Sequence, residues 1–156
     1  MRGPAGRYSS ANGAIVNGTI HIVDDDASFR RAIVRLLRMN GYEVVEHDSA
    51  DQLLANINEA KVDCILLDIE MPGLSGPELQ RRLVEGGSAP PIIFLTGHAD
   101  VVIAVKAVKA GAEDVLIKPV SGDVLLASIE EALVRGEIRN EEMQWILAAQ
   151  ARVGTL

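Results

Sequence analysis

A chain of 156 residues has room for one compact domain of ~100 to 150 residues with segments to spare, and its 48% hydrophobic share includes only five aromatic residues, so the core must be aliphatic. The formal charge of −7 argues against direct binding of nucleic acid or an anionic membrane, because both rest on clustered Lys and Arg. No apolar run reaches the ~18 residues of a membrane span, no signal pattern opens the chain, and lone Cys64 sits in an apolar run as a small buried hydrophobe, so an unprocessed cytoplasmic protein is expected.

Residues 1–18 are rich in Gly, Ser, Asn and Ala without a sustained period and read as a mobile leader outside the fold. From Thr19 to about Arg135, short β-branched runs alternate with helical patterns. The first strand is TIHIV (19–23). It leads through an acidic cluster into a helix with Phe29, Ala32, Ile33, Leu36 and Leu37 at helical spacing, ended by Gly41. The half-polar EVVEH (43–47) predicts an edge strand, and Ser49 caps the short helix after it. CILLD (64–68) is apolar on both faces and predicts a central strand. The loop EMPGLSG enters a helix with Leu79, Leu83 and Val84, and a fourth strand, PIIFLT, spans 91–96. A helix from about Asp100 to Ala110 stops at Gly111, DVLIKP supplies the fifth strand, and Ser121 caps a last helix carrying Leu125, Leu126, Ile129 and Leu133. Five βα units with right-handed crossovers predict an α/β fold. It is a flavodoxin-like, doubly wound five-stranded parallel sheet in the order 2-1-3-4-5, with helices on both faces.

In that topology Asp24, Asp25, Asp68, Thr96 and Lys118 all fall at carboxyl ends of strands, along the one edge where open α/β sheets bind ligands. Two carboxylates ~4 Å apart repel by about 4 kcal/mol at an effective dielectric of ~20. Such a pocket calls for a cation or for raised pKa values. Oxygen-only ligands point to a hard divalent ion, with Mg2+ expected. Lys118 and the Thr96 hydroxyl add positive charge and a donor, a combination suited to phosphoryl transfer.

The acidic cluster in IHIVDDD, Asp68 in ILLDIEMPGLSG, Thr96 in IIFLTGH and the Lys-Pro pair in DVLIKP resemble the receiver domains of two-component response regulators. Four motifs in the family's order and spacing carry the likeness over residues 19 to about 135. The TGHAD stretch looks most like the FixJ branch, whose members are transcription factors. The resemblance implies a CheY-like fold in which Asp68 attacks the phosphorus of a sensor histidine kinase's phosphohistidine and becomes an aspartyl phosphate. It further implies Mg2+ on Asp25, Asp68 and the Glu70 backbone carbonyl, with Asp24 helping through water. Lys118 would pair with the phosphoryl group, Thr96 would move to bond it, and the Gly97 N–H would reach it. Lys118–Pro119 is the family's position for a cis peptide. The expected output is phosphorylation-dependent homodimerisation, and DNA is contacted only through an output domain outside this chain. The receiver is not expected to be an enzyme beyond catalysing its own phosphorylation and dephosphorylation.

Individually such residues have plainer roles. Asp26 suits a helix N-cap better than a metal ligand. His21 and His47 lack ligand spacing, and His21 reads as packed or surface-lying. His98, two residues past Thr96, is a modulator of phosphate lifetime or a solvated side chain. Lys106 and Lys109 read as a solvated face. Val115 stands where receivers usually carry a Tyr or Phe; a β-branched residue has no ring to swing, so the signal is expected to pass through the loop and helix after Thr96. Residues 136–156 keep a helical pattern with Met143, Ile146 and Leu147 on one side and could extend the last helix, as a linker towards a helix-turn-helix domain or a tail packed on its own domain or in a dimer. Two other functions compete. One is a stand-alone receiver acting on a protein partner. The other is a haloacid dehalogenase-like phosphatase using Asp24, Asp26 and Ser28, which lacks that family's later acidic motif and leaves Asp68 idle.

Overall fold

The computed structural model describes residues 8–9, 15–57, 61–71, 76–86, 90–97 and 101–154. Strands β1 (Thr19–Val23), β2 (Glu43–His47), β3 (Cys64–Asp68), β4 (Ile92–Thr96) and β5 (Asp114–Ile117) alternate with helices α1 (Ala27–Met39), α2 (Ala50–Asn56), α3 (Gly76–Glu85), α4 (Val101–Lys109) and α5 (Gly122–Gly154). The sheet is parallel throughout with the order 2-1-3-4-5. The half-polar β2 is at an edge, and β3, all five residues buried, lies between β1 and β4, as the patterning requires.

Two aliphatic layers sandwich the sheet. On one face Ile20, Ile22, Leu66, Ile93 and Leu95 meet Ile33, Val34 and Leu37 of α1 and Leu125, Ile129 and Leu133 of α5. On the other, Val23, Ile65, Leu67 and Phe94 meet Leu53 of α2, Leu79 and Leu83 of α3, and Ala104 and Ala107 of α4. Alternate residues of β3 feed opposite layers, so truncating fully buried Leu66 to Ala would open a cavity worth about 2–5 kcal/mol.

Local signals set the boundaries. Asp26 caps α1, its Oδ1 accepting the Ser28 and Phe29 N–H groups at 3.1 Å, and Ser49 Oγ caps α2 through the Gln52 N–H at 3.2 Å. Gly41, with φ 84°, turns the chain out of α1 where a Cβ would be strained. The Lys118–Pro119 peptide is cis.

Two segments lie outside the five βα units. Within the leader, Tyr8–Ser9 and Ile15–Val16 pair as two-residue antiparallel strands, and Asn17 bonds the end of α1 through Gly41 O and Asn40 O. At the other end α5 is one helix of 33 residues, running past Arg135 without a break. Buried Glu113, just before β5, ion-pairs with both Arg135 and Arg139 and ties the helix there to the sheet. Beyond that clamp Met143, Trp145, Ile146 and Leu147 are exposed.

Candidate functional site

The carboxyl ends of β1, β3 and β5 bring their polar residues together. Where β1 gives way to loop, the Asp24 N–H is fixed by the His47 carbonyl at 3.2 Å and its own carbonyl accepts from Arg30 Nη1 at 2.6 Å. Arg30 is in turn held by Glu46 at 3.1 Å. The Asp24 side chain is fully buried and doubly engaged: Oδ1 accepts the Asp26 N–H at 2.8 Å, and Oδ2 accepts from Lys118 Nζ at 2.9 Å.

Asp68 closes the central strand and is 4% exposed. Its Oδ1 accepts the Glu70 N–H at 3.0 Å, and its Oδ2 is 3.6 Å from Lys118 Nζ. Asp25 stands at the solvent side, and carboxylate oxygens of Asp24, Asp25 and Asp68 lie within 4.8 Å of one another. Three carboxylates face one ammonium here, so the electrostatics are unbalanced. Burial and then the Asp24 charge push the Asp68 pKa up to about 6, against the pull of the Glu70 N–H and Lys118. Burial works against the Lys118 ammonium, but its hydrogen bond to Asp24 and the charges of both acids outweigh it and raise its pKa. Two buried acids and one at the rim, offering only oxygen, fit a hard divalent cation, which would relieve the repulsion that raises the Asp68 pKa.

The remaining expected residues are placed less directly. Buried Thr96 ends β4, and its hydroxyl donates to the Gly97 carbonyl at 2.9 Å. Among the described residues, a Cβ on Gly97 would meet Glu70 Oε2 at 3.8 Å, an ordinary van der Waals contact. The Glu70 side chain is exposed. Val115 is half-buried beside Phe94 in register. His98 lies outside the described residues. Asp26 serves α1 as its cap.

Several partners of these groups were not apparent from sequence. The ring of Phe29 lies beneath Lys118 Nζ, 4.4 Å from its centroid. His21 is packed, with no exposure, and joins His47 in a buried chain: His21 Nε2 donates to the Lys61 carbonyl at 2.9 Å, so its Nδ1 accepts from His47 Nε2 at 2.9 Å. Burial and the neighbouring His21 lower the His47 pKa to about 4, and burial lowers that of His21 as well. That chain backs the strand whose His47 carbonyl holds Asp24. Parallel register carried the signal, because His47 aligns with Val23, one residue before the acid.

An acid cluster with a half-buried lysine, at the carboxyl edge of a 2-1-3-4-5 sheet, is the arrangement of a phosphoacceptor module. The family model "Response regulator receiver domain" matches residues 20–130, and the chain belongs to that family, whose function is phosphorylation on aspartate. It is 43% identical over 114 residues to the response regulator protein TodT of Pseudomonas putida, covering 73% of this chain and 50% of TodT. Nodulation protein W of Bradyrhizobium diazoefficiens is 36% identical over 155 residues, 99% of this chain and 66% of that protein. The crystal structure of full-length FixJ from B. japonicum superposes with a TM-score of 0.77 at 38% identity, covering 90% of this chain and 70% of FixJ. The chain thus spans only part of these relatives, about half in the case of TodT. No helix among the described residues is long and apolar enough to cross a membrane.

Proposed function

We propose that Asp68 is the phosphoacceptor and that a sensor histidine kinase supplies the group as phosphohistidine. An Asp68 carboxylate oxygen forms the new O–P bond while the P–N bond to the kinase imidazole breaks, its electron pair staying on nitrogen. The observation that carries this reading is Lys118, seated 2.9 Å from Asp24 and 3.6 Å from Asp68 in the acidic cluster. It can exchange a carboxylate partner for a phosphoryl oxygen over a short reach. Asp24, Asp25, Asp68 and the Glu70 backbone carbonyl would hold Mg2+, which when bound supplies the charge that neutralises the acids and the phosphoryl oxygens. In-line approach and charge neutralisation are then the protein's contribution, as phosphoryl transfer requires.

The Thr96 hydroxyl leaves the Gly97 carbonyl to bond the phosphoryl group, which the Gly97 N–H also reaches, and His98, two residues along the chain from Thr96, modulates its loss. The phosphatase reading would need Asp24 as nucleophile, and an acid with both oxygens engaged and no exposure is badly placed to attack a substrate. Adding about −1.5 to −2 charge at Asp68 biases a two-state equilibrium of the β4–α4 region, leading to a homodimer. DNA is reached through an output segment of the kind carried by transcriptional relatives, in the cytoplasm. The chain turns over no separate substrate and catalyses at most its own phosphorylation and dephosphorylation. Incubation with Mg2+ and a small acyl phosphate, followed by intact mass, tests the proposal, with a labile adduct expected on the wild type and none on Asp68→Asn.

A further inference from the structure

We infer that Phe29 is a positioning residue for Lys118, its ring forming the seat on which the ammonium waits for a phosphoryl group. The inference rests on the phosphoacceptor reading above. Phe29 is the third residue of α1, and the Asp26 cap fixes its N–H at 3.1 Å, so the acidic run that forms the site also sets where this ring begins. The ring is half-buried and packs against the aliphatic layer under α1. Its centroid lies 4.4 Å from Lys118 Nζ, a distance at which the negative π face attracts a cation.

Among the described residues, three contacts thus surround the ammonium: the Asp24 carboxylate, the Asp68 carboxylate and the Phe29 ring. The first two belong to the acids that would hold the divalent cation. Once their oxygens are committed, Lys118 loses attraction from both and is repelled by the new charge. A flexible four-carbon stem would then let it swing to water. The π face is the one contact of the three that metal loading does not neutralise. It keeps the ammonium at the pocket edge while Asp68 is being made ready. A leucine would fill the same part of the core without this electrostatic seat, so packing and positioning are separable.

The test is a double-mutant cycle between Phe29→Leu and Lys118→Met at saturating Mg2+. It is read both by the rate of acyl-phosphate labelling and by the affinity for beryllium fluoride with Mg2+, a phosphoryl mimic that requires no turnover. Phe29→Leu alone should weaken both by about 3- to 30-fold. Phe29→Tyr, which keeps the π face, should stay within about twofold, and Phe29→Leu should add no further loss in the Lys118→Met background. An equal loss from Phe29→Leu with or without Lys118, or equal damage from Tyr and Leu, would overturn the inference and make Phe29 a packing residue only. Phe29→Met replaces Leu if that variant fails to fold, with the same two outcomes. Labelling of the wild type on a residue other than Asp68, or no labelling at all, would overturn the phosphoacceptor reading and this inference with it.

Discussion

Replacing Asp68 with Asn should make the metal-free protein more stable, an unusual outcome for a buried polar residue at the end of a central strand. The Asp68 carboxyl is pushed up to about 6 from an ordinary 3.8, chiefly by burial and by Asp24. Its folded-state pKa lies above the unfolded one, so the penalty is absent below the unfolded value, grows as pH rises, and is complete above the folded value. Holding the carboxylate ionised at pH 7.5 therefore costs on the order of 3 kcal/mol, falling to about 1 kcal/mol at pH 4.5. Asn carries no charge at either pH, and its side-chain oxygen can still accept the Glu70 N–H. Lys118 keeps Asp24 at 2.9 Å, so the substitution orphans no cation. In chelator, thermal melts of Asp68→Asn should lie roughly 6–12 °C above wild type at pH 7.5 and about 2–4 °C above at pH 4.5. Added Mg2+ should narrow the gap by stabilising wild type more. A variant no more stable than wild type at pH 7.5, or a gap independent of pH, would refute the electrostatic account of the cluster.

Other expectations separate the roles of neighbouring residues. Asp26→Ala should cost about 1 kcal/mol as the loss of an N-cap while leaving Mg2+ affinity by calorimetry within about twofold, since the side chain bonds the Ser28 and Phe29 amides. A large loss of metal affinity would return Asp26 to the metal site. Thr96→Ala should still be labelled on Asp68, yet the change in amide exchange at α4 and β5 on labelling should be lost. Equal exchange changes in the two proteins would show that the signal bypasses Thr96.

Much of this architecture was legible because it is local. β-Branched runs placed all five sheet strands, the half-polar EVVEH placed the edge, and Ser49, Asp26 and Gly41 marked helix ends by side chains that act within a few residues. Topology alone then drew Asp24, Asp25, Asp68 and Lys118 to one edge. What was not legible depends on register and side-chain direction. His21 and His47 are 26 residues apart and meet only because β1 and β2 pair in one register, and Glu113 finds Arg135 and Arg139 because α5 continues past the sheet. Phe29 read as one more apolar position of α1, and only the path of Lys118 across the sheet edge gives its ring a second role. The bond from the Thr96 hydroxyl to the Gly97 carbonyl is likewise a matter of side-chain direction that strand position alone does not give.

The most direct measurement of the central claim is peptide mapping of the adduct formed with Mg2+ and a small acyl phosphate, run in parallel on wild type and Asp68→Asn. A base-labile phosphoryl group on the peptide containing Asp68, absent from the variant, is the expected result. The same adduct persisting in Asp68→Asn, or mapping to Asp24 or Asp25, would contradict it.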